Sequence, residues 1–318
     1  MLRLAARAAQ QGIVILLYHC VSDAPQRYSD TLDMGHATGV FRLQMELLAQ
    51  RYDPVSLDDV PLFLTGEKPM PLRPVAVTFD DGYADNLEVA MPILDYFGIR
   101  AAFYLTAGCI DKGVPPWIAR VRYAFRTTDK KYWATPGGQV CSLPSSAARE
   151  TAFATACQFY AQLTGNAQEQ AVSKLENVLE TGPIPQDDCR MLTWEQVRAL
   201  SARGHVVGSH TVSHPNLAQV GEKELTMELV ESRQRLLQEL GAPPQHFAYP
   251  NPVLSPYWTE QTVSASRQAG YKTAVIATPG LVRRNANPLC LPRVPASRNL
   301  DTFRWNLECA FLGRRAAS

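Results

Sequence analysis

Neither sign of charge prevails in this chain, and that absence excludes several kinds of partner at once. The 31 lysines and arginines are balanced by 30 aspartates and glutamates, leaving a formal charge of +1. No run of one sign is long enough to form a nucleic-acid channel or a polybasic membrane tether. Long apolar stretches are missing too. The segment Ile13-Val14-Ile15-Leu16-Leu17 follows a mildly basic N-terminus. It is short, has no small-residue cleavage site and runs directly into Tyr18-His19, so it reads as a first core strand and not as a signal peptide or membrane span. The seven cysteines (Cys20, Cys109, Cys141, Cys157, Cys189, Cys290 and Cys309) are odd in number and contain no Cys-x-x-Cys pair. That pattern favours free thiols in a reducing compartment over a disulfide framework. A cytoplasmic location is the default expectation. No internal repeat or low-complexity segment is evident, and histidine occurs only six times.

What the chain has in quantity is core-forming material: 46% of its 318 residues are hydrophobic, ample for a compact globule. The expected organisation is one domain over residues 1–318. Residues 13–18, 75–79, 101–105, 205–208, 246–249 and 273–277 read as strands from their β-rich composition. Helical patterns fall between them. Residues 41–50 place Leu43, Leu47 and Leu48 on one face, and Ser56-Leu57-Asp58-Asp59 opens a short helix. Further helices are expected over 87–97, after the capping box Thr193-Trp194-Glu195-Gln196, over 222–240, and from Pro256 to Gly270. Such alternation implies a parallel sheet, doubly wound or closed into a barrel, with its functional residues at the carboxyl ends of the strands. Residues 110–190 break the rhythm with Pro115-Pro116-Trp117, a Gly137-Gly138 turn and a mostly helical stretch. They read as an insertion between barrel strands, either flanking the site or serving only to stabilise the fold.

Two short motifs carry the chemistry. The first is Thr78-Phe79-Asp80-Asp81-Gly82-Tyr83, in which an apolar strand ends on adjacent carboxylates. Side chains alternate along a strand, so one aspartate can bind a metal while its neighbour handles a proton. The second is Ser209-His210-Thr211-Val212-Ser213-His214, with two histidines four apart; in a helical turn both imidazoles would project from one face. One carboxylate and two imidazoles make a three-ligand set with coordination positions left for water or substrate. Taking Asp81, His210 and His214 as ligands of a divalent ion leaves Asp80 as general base. A bound ion lowers the pKa of water from about 16 toward roughly 7, within reach of a neighbouring carboxylate. His19, at the end of the first strand, is the candidate acid for the leaving group. The plainer alternatives are an orienting role for Asp80 and a structural one for His19. His205 and His246 are expected to be structural and His36 to lie in a loop, while Tyr83 and Asp85 start the next helix.

Together the Asp-Asp-Gly and His-x-x-x-His segments resemble the first two signature motifs of the NodB-homology polysaccharide deacetylases, carbohydrate esterase family four. The resemblance implies a distorted (β/α) barrel of about seven strands, zinc as the ion, Asp80 as base, and Asp81, His210 and His214 as ligands. The N-terminal Leu17-Tyr18-His19 is similar to a subgroup that includes poly-N-acetylglucosamine deacetylases, in which this histidine is the acid. Phe247-Ala248-Tyr249-Pro250-Asn251-Pro252 stands in the place of the third motif, Arg-x-Pro-aromatic-Gly, and keeps only Pro250. Asn251 then inherits the backbone N–H that meets the oxyanion. The arginine that orients the base is missing there, and Arg293 is a candidate to supply a guanidinium from a late strand. The activity implied is metal-dependent hydrolysis of an N-acetyl group on an amino-sugar glycan. The alternatives are a deformylase or amidase acting on a lipid-linked sugar or small amide, and a non-catalytic carbohydrate-binding barrel.

Overall fold

A computed structural model describes residues 12–23, 35–186, 188–250 and 254–314. Strand β1, Gly12–Tyr18, is buried at every position, as expected of a strand covered on both faces. Its even and odd residues go to different places. Ile13 and Ile15 join Ala76, Ala102, Tyr104, Val206, Ala248, Val275 and Leu291 in one apolar cluster. Val14, Leu16 and Tyr18 join Val75, Val77, Phe79, Phe103 and Leu105 in another, packed with Phe41, Met45 and Leu48 from the helix Thr38–Arg51. The first cluster is the inside of a barrel and the second its helical jacket.

The other parallel strands of the barrel wall are β2 (Pro74–Phe79), β3 (Ala102–Leu105), β4 (Val206–Ser209), β5 (His246–Ala248), β6 (Thr273–Ile276), β7 (Leu291–Pro292) and β8 (Val294–Pro295). Each of β1 to β6 pairs in parallel with the next. Strand β8 pairs in parallel with β1, Leu16 opposite Val294. Strands β7 and β8 are two halves of one stave interrupted at Arg293, so the sheet closes on itself as a seven-stave barrel. The interior is tight: a Cβ on Gly208 would stand 2.5 Å from the Tyr104 ring.

Helices fill the connections, with departures from expectation at three points. The buried face of Thr38–Arg51 is Phe41, Gln44, Met45 and Leu48, while Leu43 is exposed. The stripe is rotated because Gln44 bridges inward, accepting from Tyr18 Oη at 2.9 Å and donating to Ser297 O at 2.6 Å. The helix expected from Pro256 begins at Glu260, where Thr259 and Thr262 form a reciprocal capping box. His36 is not in an open loop. It is fully buried in a short strand beside Cys20–Val21, its ring 4.9 Å from that of Tyr18 and its Nε2 3.1 Å from Ala296 O.

Between β3 and β4 the chain builds helices Trp117–Thr127, Ser146–Tyr160 and Gly165–Val178, with a hairpin Tyr132–Ala134/Val140–Ser142. These enclose an apolar cluster of their own, centred on Val121, Phe125, Trp133, Phe153 and Leu175. Arg120, buried at its edge, is held by Glu176 and Glu169. Among the described residues no helix is long and apolar enough to cross a membrane.

Candidate metal centre

The carboxyl ends of β1, β2 and β4 meet at one rim of the barrel. At the end of β2, Thr78 and Asp80 continue the inward row that begins with Ala76. Asp81 then takes a left-handed backbone, φ 75°, followed by Gly82 at φ 89°. This is uncommon for a residue with a side chain and is energetically unfavourable. The turn brings Asp81 to the same centre as Asp80 instead of sending it to the opposite face. At the end of β4 the chain does not form a helical turn. His210 leaves the strand with its N–H on Leu105 O, and Thr211 and His214 are both left-handed, φ 72° and 60°. That looping sets the two imidazoles 4.9 Å apart at an angle of 73°.

Asp81 Oδ1 lies 3.5 Å from His210 Nε2 and 3.4 Å from His214 Nε2. Within this triad, one ligand atom from each residue falls inside a 4.8 Å span. His210 Nδ1 is 2.8 Å from Ala248 O, a contact that needs the proton on Nδ1 and leaves Nε2 with a lone pair for a ligand. Burial pushes both imidazoles down to about 4, so they are neutral at pH 7, as ligation requires. Burial also raises the carboxyl of Asp81 above its ordinary value. Asp81 Oδ1 is buried with no hydrogen-bond partner. An acceptor left bare between two imidazole lone pairs is costly, and a divalent cation satisfies all three at once. The donor set therefore fits a metal ion.

Asp80 is treated differently although it is equally enclosed, at 3% exposure. Arg293, 1% exposed, donates from Nη1 to Oδ1 and from Nη2 to Oδ2, both at 2.6 Å. The same guanidinium reaches Thr78 Oγ1 at 3.2 Å and Ile276 O at 3.4 Å, and stands over the Tyr104 ring. Burial alone would raise the Asp80 pKa. The charges of Arg293 and His210 and the Arg293 hydrogen bonds outweigh it and hold the carboxyl at about 2. His19 is half-buried at the end of β1, close enough to the same centre to interact electrostatically with both aspartates and with His214. Its carbonyl accepts from Asn86 Nδ2 at 2.8 Å; Asn86 opens a π-helical turn, Asn86–Ala90, at the head of the helix expected over 87–97. Asn251 lies outside the described residues. His205 and His246 are structural: His205 Nδ1 accepts from Ala101 N at 3.2 Å, and His246 contacts Thr273 Oγ1 and Asp58 Oδ1 at 2.6 and 2.8 Å.

Two residues that hold the histidine turn escape a reading by motif. Glu228 accepts the N–H groups of Val212 and Ser213, and Trp117 donates to the carbonyl of His214. Glu228 left a trace, since it falls on the buried stripe Leu225, Glu228, Leu229, Ser232 and Leu236 of its helix. A carboxylate at such a position has to be hydrogen-bonded. Trp117 left none.

A parallel barrel with an Asp/His/His set and an arginine-bound aspartate at its carboxyl rim defines the class of protein. The profile of one family, polysaccharide deacetylase, matches residues 67–274, more than half of the sequence, and the chain belongs to that family. Over 127 residues it is 32% identical to the poly-β-1,6-N-acetyl-D-glucosamine N-deacetylase of Escherichia coli, a match covering 39% of this chain and 18% of that protein. It thus spans less than a fifth of that relative's length. Among solved structures, the Streptococcus pyogenes deacetylase PplD in complex with acetate superposes with a TM-score of 0.64 at 19% identity, covering 95% of this chain and 99% of that one. IcaB from Ammonifex degensii gives 0.61 at 19% identity, covering 94% and 97%. At these identities the two likenesses concern the fold.

Proposed function

We propose that the protein hydrolyses the N-acetyl group of an amino-sugar glycan at a zinc centre formed by Asp81, His210 and His214. The observation that carries this reading is the pairing of a buried Asp/His/His set, in which Asp81 Oδ1 has no hydrogen-bond partner, with an adjacent carboxylate kept ionised by Arg293. Bound there, the ion would acidify a water molecule and polarise the acyl carbonyl. Asp80, charged at neutral pH and fixed at both oxygens by Arg293, takes the proton of the attacking water. The attack forms a carbon–oxygen bond and places negative charge on the carbonyl oxygen, for which the Asn251 backbone N–H is the assigned donor. His19 gives a proton to the amide nitrogen as the carbon–nitrogen bond breaks, releasing acetate and a free amine. Sugar-polymer substrates of the E. coli relative support the amino-sugar assignment. The reading extends to a reducing, cytoplasmic setting, supported by the odd number of cysteines and the absence of a Cys-x-x-Cys pair in the sequence and checked by cell fractionation.

The test is acetate release from N-acetylglucosamine oligomers by purified, zinc-loaded protein, with the formylated and small-amide analogues in parallel. Activity should vanish with chelator and return with zinc. No acetate under any metal condition would remove the substrate assignment; formate release alone would move it to a deformylase.

A further inference from the structure

The turn that carries His214 is held from two directions, and one holder belongs to the segment between β3 and β4. Thr211 and His214 both occupy left-handed backbone, where a residue with a side chain persists only if its surroundings over-determine it. On one flank, Glu228 accepts from Val212 N at 2.8 Å, from Ser213 N at 2.9 Å and from the Ser213 hydroxyl. That fixes the middle of the turn. On the other flank, Trp117 Nε1 donates to the carbonyl oxygen of His214 itself at 2.8 Å, and Asn216 N donates to Ala161 O at 3.1 Å. Both Trp117 and Ala161 lie in the apolar cluster of the insertion, with the Trp117 ring edge-on to Tyr160.

The two histidines differ in how they are aimed. His210 is oriented through its ring, because Nδ1 is tied to Ala248 O. His214 Nδ1 has no partner outside its own residue, and its hydrogen bond is to the His214 backbone. An imidazole ligand is normally turned toward its metal by a partner on the second nitrogen; for His214 that task passes to the backbone. An indole N–H can only donate and makes a single directional bond, so Trp117 sets the plane of the His214 peptide.

We propose that Trp117 is a positioning residue of the metal centre: through the His214 carbonyl it aims His214 Nε2 at Asp81 Oδ1, which makes the insertion a working part of the site. The proposal rests on the reading of Asp81, His210 and His214 as zinc ligands.

The experiment measures zinc affinity of the full chain by competition with a chromogenic chelator, together with the visible spectrum of the cobalt-substituted protein. Three variants are compared. Trp117 replaced by 3-benzothienylalanine keeps the ring and loses only the N–H; Trp117→Phe loses both the N–H and part of the ring. Trp133→Phe trims the same cluster, where Trp133 lies 5.0 Å from Phe125, without reaching His214. Zinc should bind about tenfold or more weakly in both Trp117 variants, the size typical for removing a group that orients a ligand, and the cobalt bands should shift. Trp133→Phe should melt earlier yet hold zinc as the native chain does. A benzothienylalanine variant with native zinc affinity, or an equal loss in Trp133→Phe, overturns the proposal. His214→Ala tests the underlying reading. If zinc binding is lost there but unchanged with benzothienylalanine, this proposal alone falls; if the native chain takes up no zinc, the ligand assignment falls and takes this proposal with it.

Discussion

Replacing Arg293 by methionine isolates the most consequential contact at the rim. The substitution keeps most of the side chain's apolar length and removes both hydrogen bonds to Asp80. In the native chain the Asp80 carboxyl is lowered from 3.8 to about 2, which at roughly 1.4 kcal/mol per pKa unit is about 2 kcal/mol in favour of the folded state. That figure is net of a desolvation penalty that remains when the arginine is gone. Breaking a buried pair by removing one partner costs about 3–5 kcal/mol, and Arg293→Met should fall in that range at pH 7. The sign of the pH dependence follows. Native Asp80 contributes stability above its unfolded pKa and loses it as pH falls from about 4 toward 2. In the variant, burial pushes the carboxyl up, so protonation relieves the penalty and the gap from native narrows on acidification. Urea denaturation of the metal-free proteins at pH 7 and pH 5 measures both quantities. Asp80→Asn in the variant background should be less harmful than the sum of the two single changes. A loss below about 1 kcal/mol at pH 7, well under the buried-pair range, or a gap that does not narrow at pH 5, would refute the assignment of Arg293 as the counter-charge of Asp80.

Asp80→Asn should lower turnover about 10²–10⁴-fold with zinc content unchanged, as read by acetate release and metal analysis; retained turnover would leave Asp80 without its role as base. His19→Gln should lower kcat by about 10² with little change in zinc affinity; an unchanged kcat would assign His19 a structural role. Because His210 and His214 titrate near 4 in the folded chain and at 6.5 when unfolded, the metal-free protein should lose stability as pH falls from 6.5 to 4, by about 1.4 kcal/mol per pH unit for each group. Denaturant midpoints across that window check it, and a flat profile would place both rings in water. Gly208→Ala should cost about 1–3 kcal/mol by overpacking against Tyr104, measured by thermal unfolding.

The strands and the two motif segments at the rim were legible because each writes itself in adjacent residues: an apolar run of five, a carboxylate pair, two histidines at fixed spacing. The conformation joining them was not. Nothing in Thr211 or His214 announces a left-handed residue, and a helical turn there would have aimed the imidazoles by a different route. Arg293 was visible as a basic residue in an apolar stretch, yet its bond to Asp80 spans 213 positions and depends on the barrel closing. Leu43 misled because the helix Thr38–Arg51 buries a glutamine; Gln44 is welcome inside only because Tyr18 and Ser297 meet its amide. His36 misled in the same manner, its burial made tolerable by a carbonyl 260 residues away.

The interruption of the last stave at Arg293 has a bearing on how the chain can misassemble. The halves on either side of it join β6 to β1, and so seal the two ends of the sheet. A stave seated one residue out of register would turn its side chains to the other face, sending the guanidinium outward and stranding the Asp80 carboxylate in an apolar interior. Misclosure would thus carry an electrostatic penalty on top of lost packing. The residue that holds the Asp80 carboxylate also penalises a wrongly closed seam, because a misregistered barrel loses packing and leaves that carboxylate without its counter-charge.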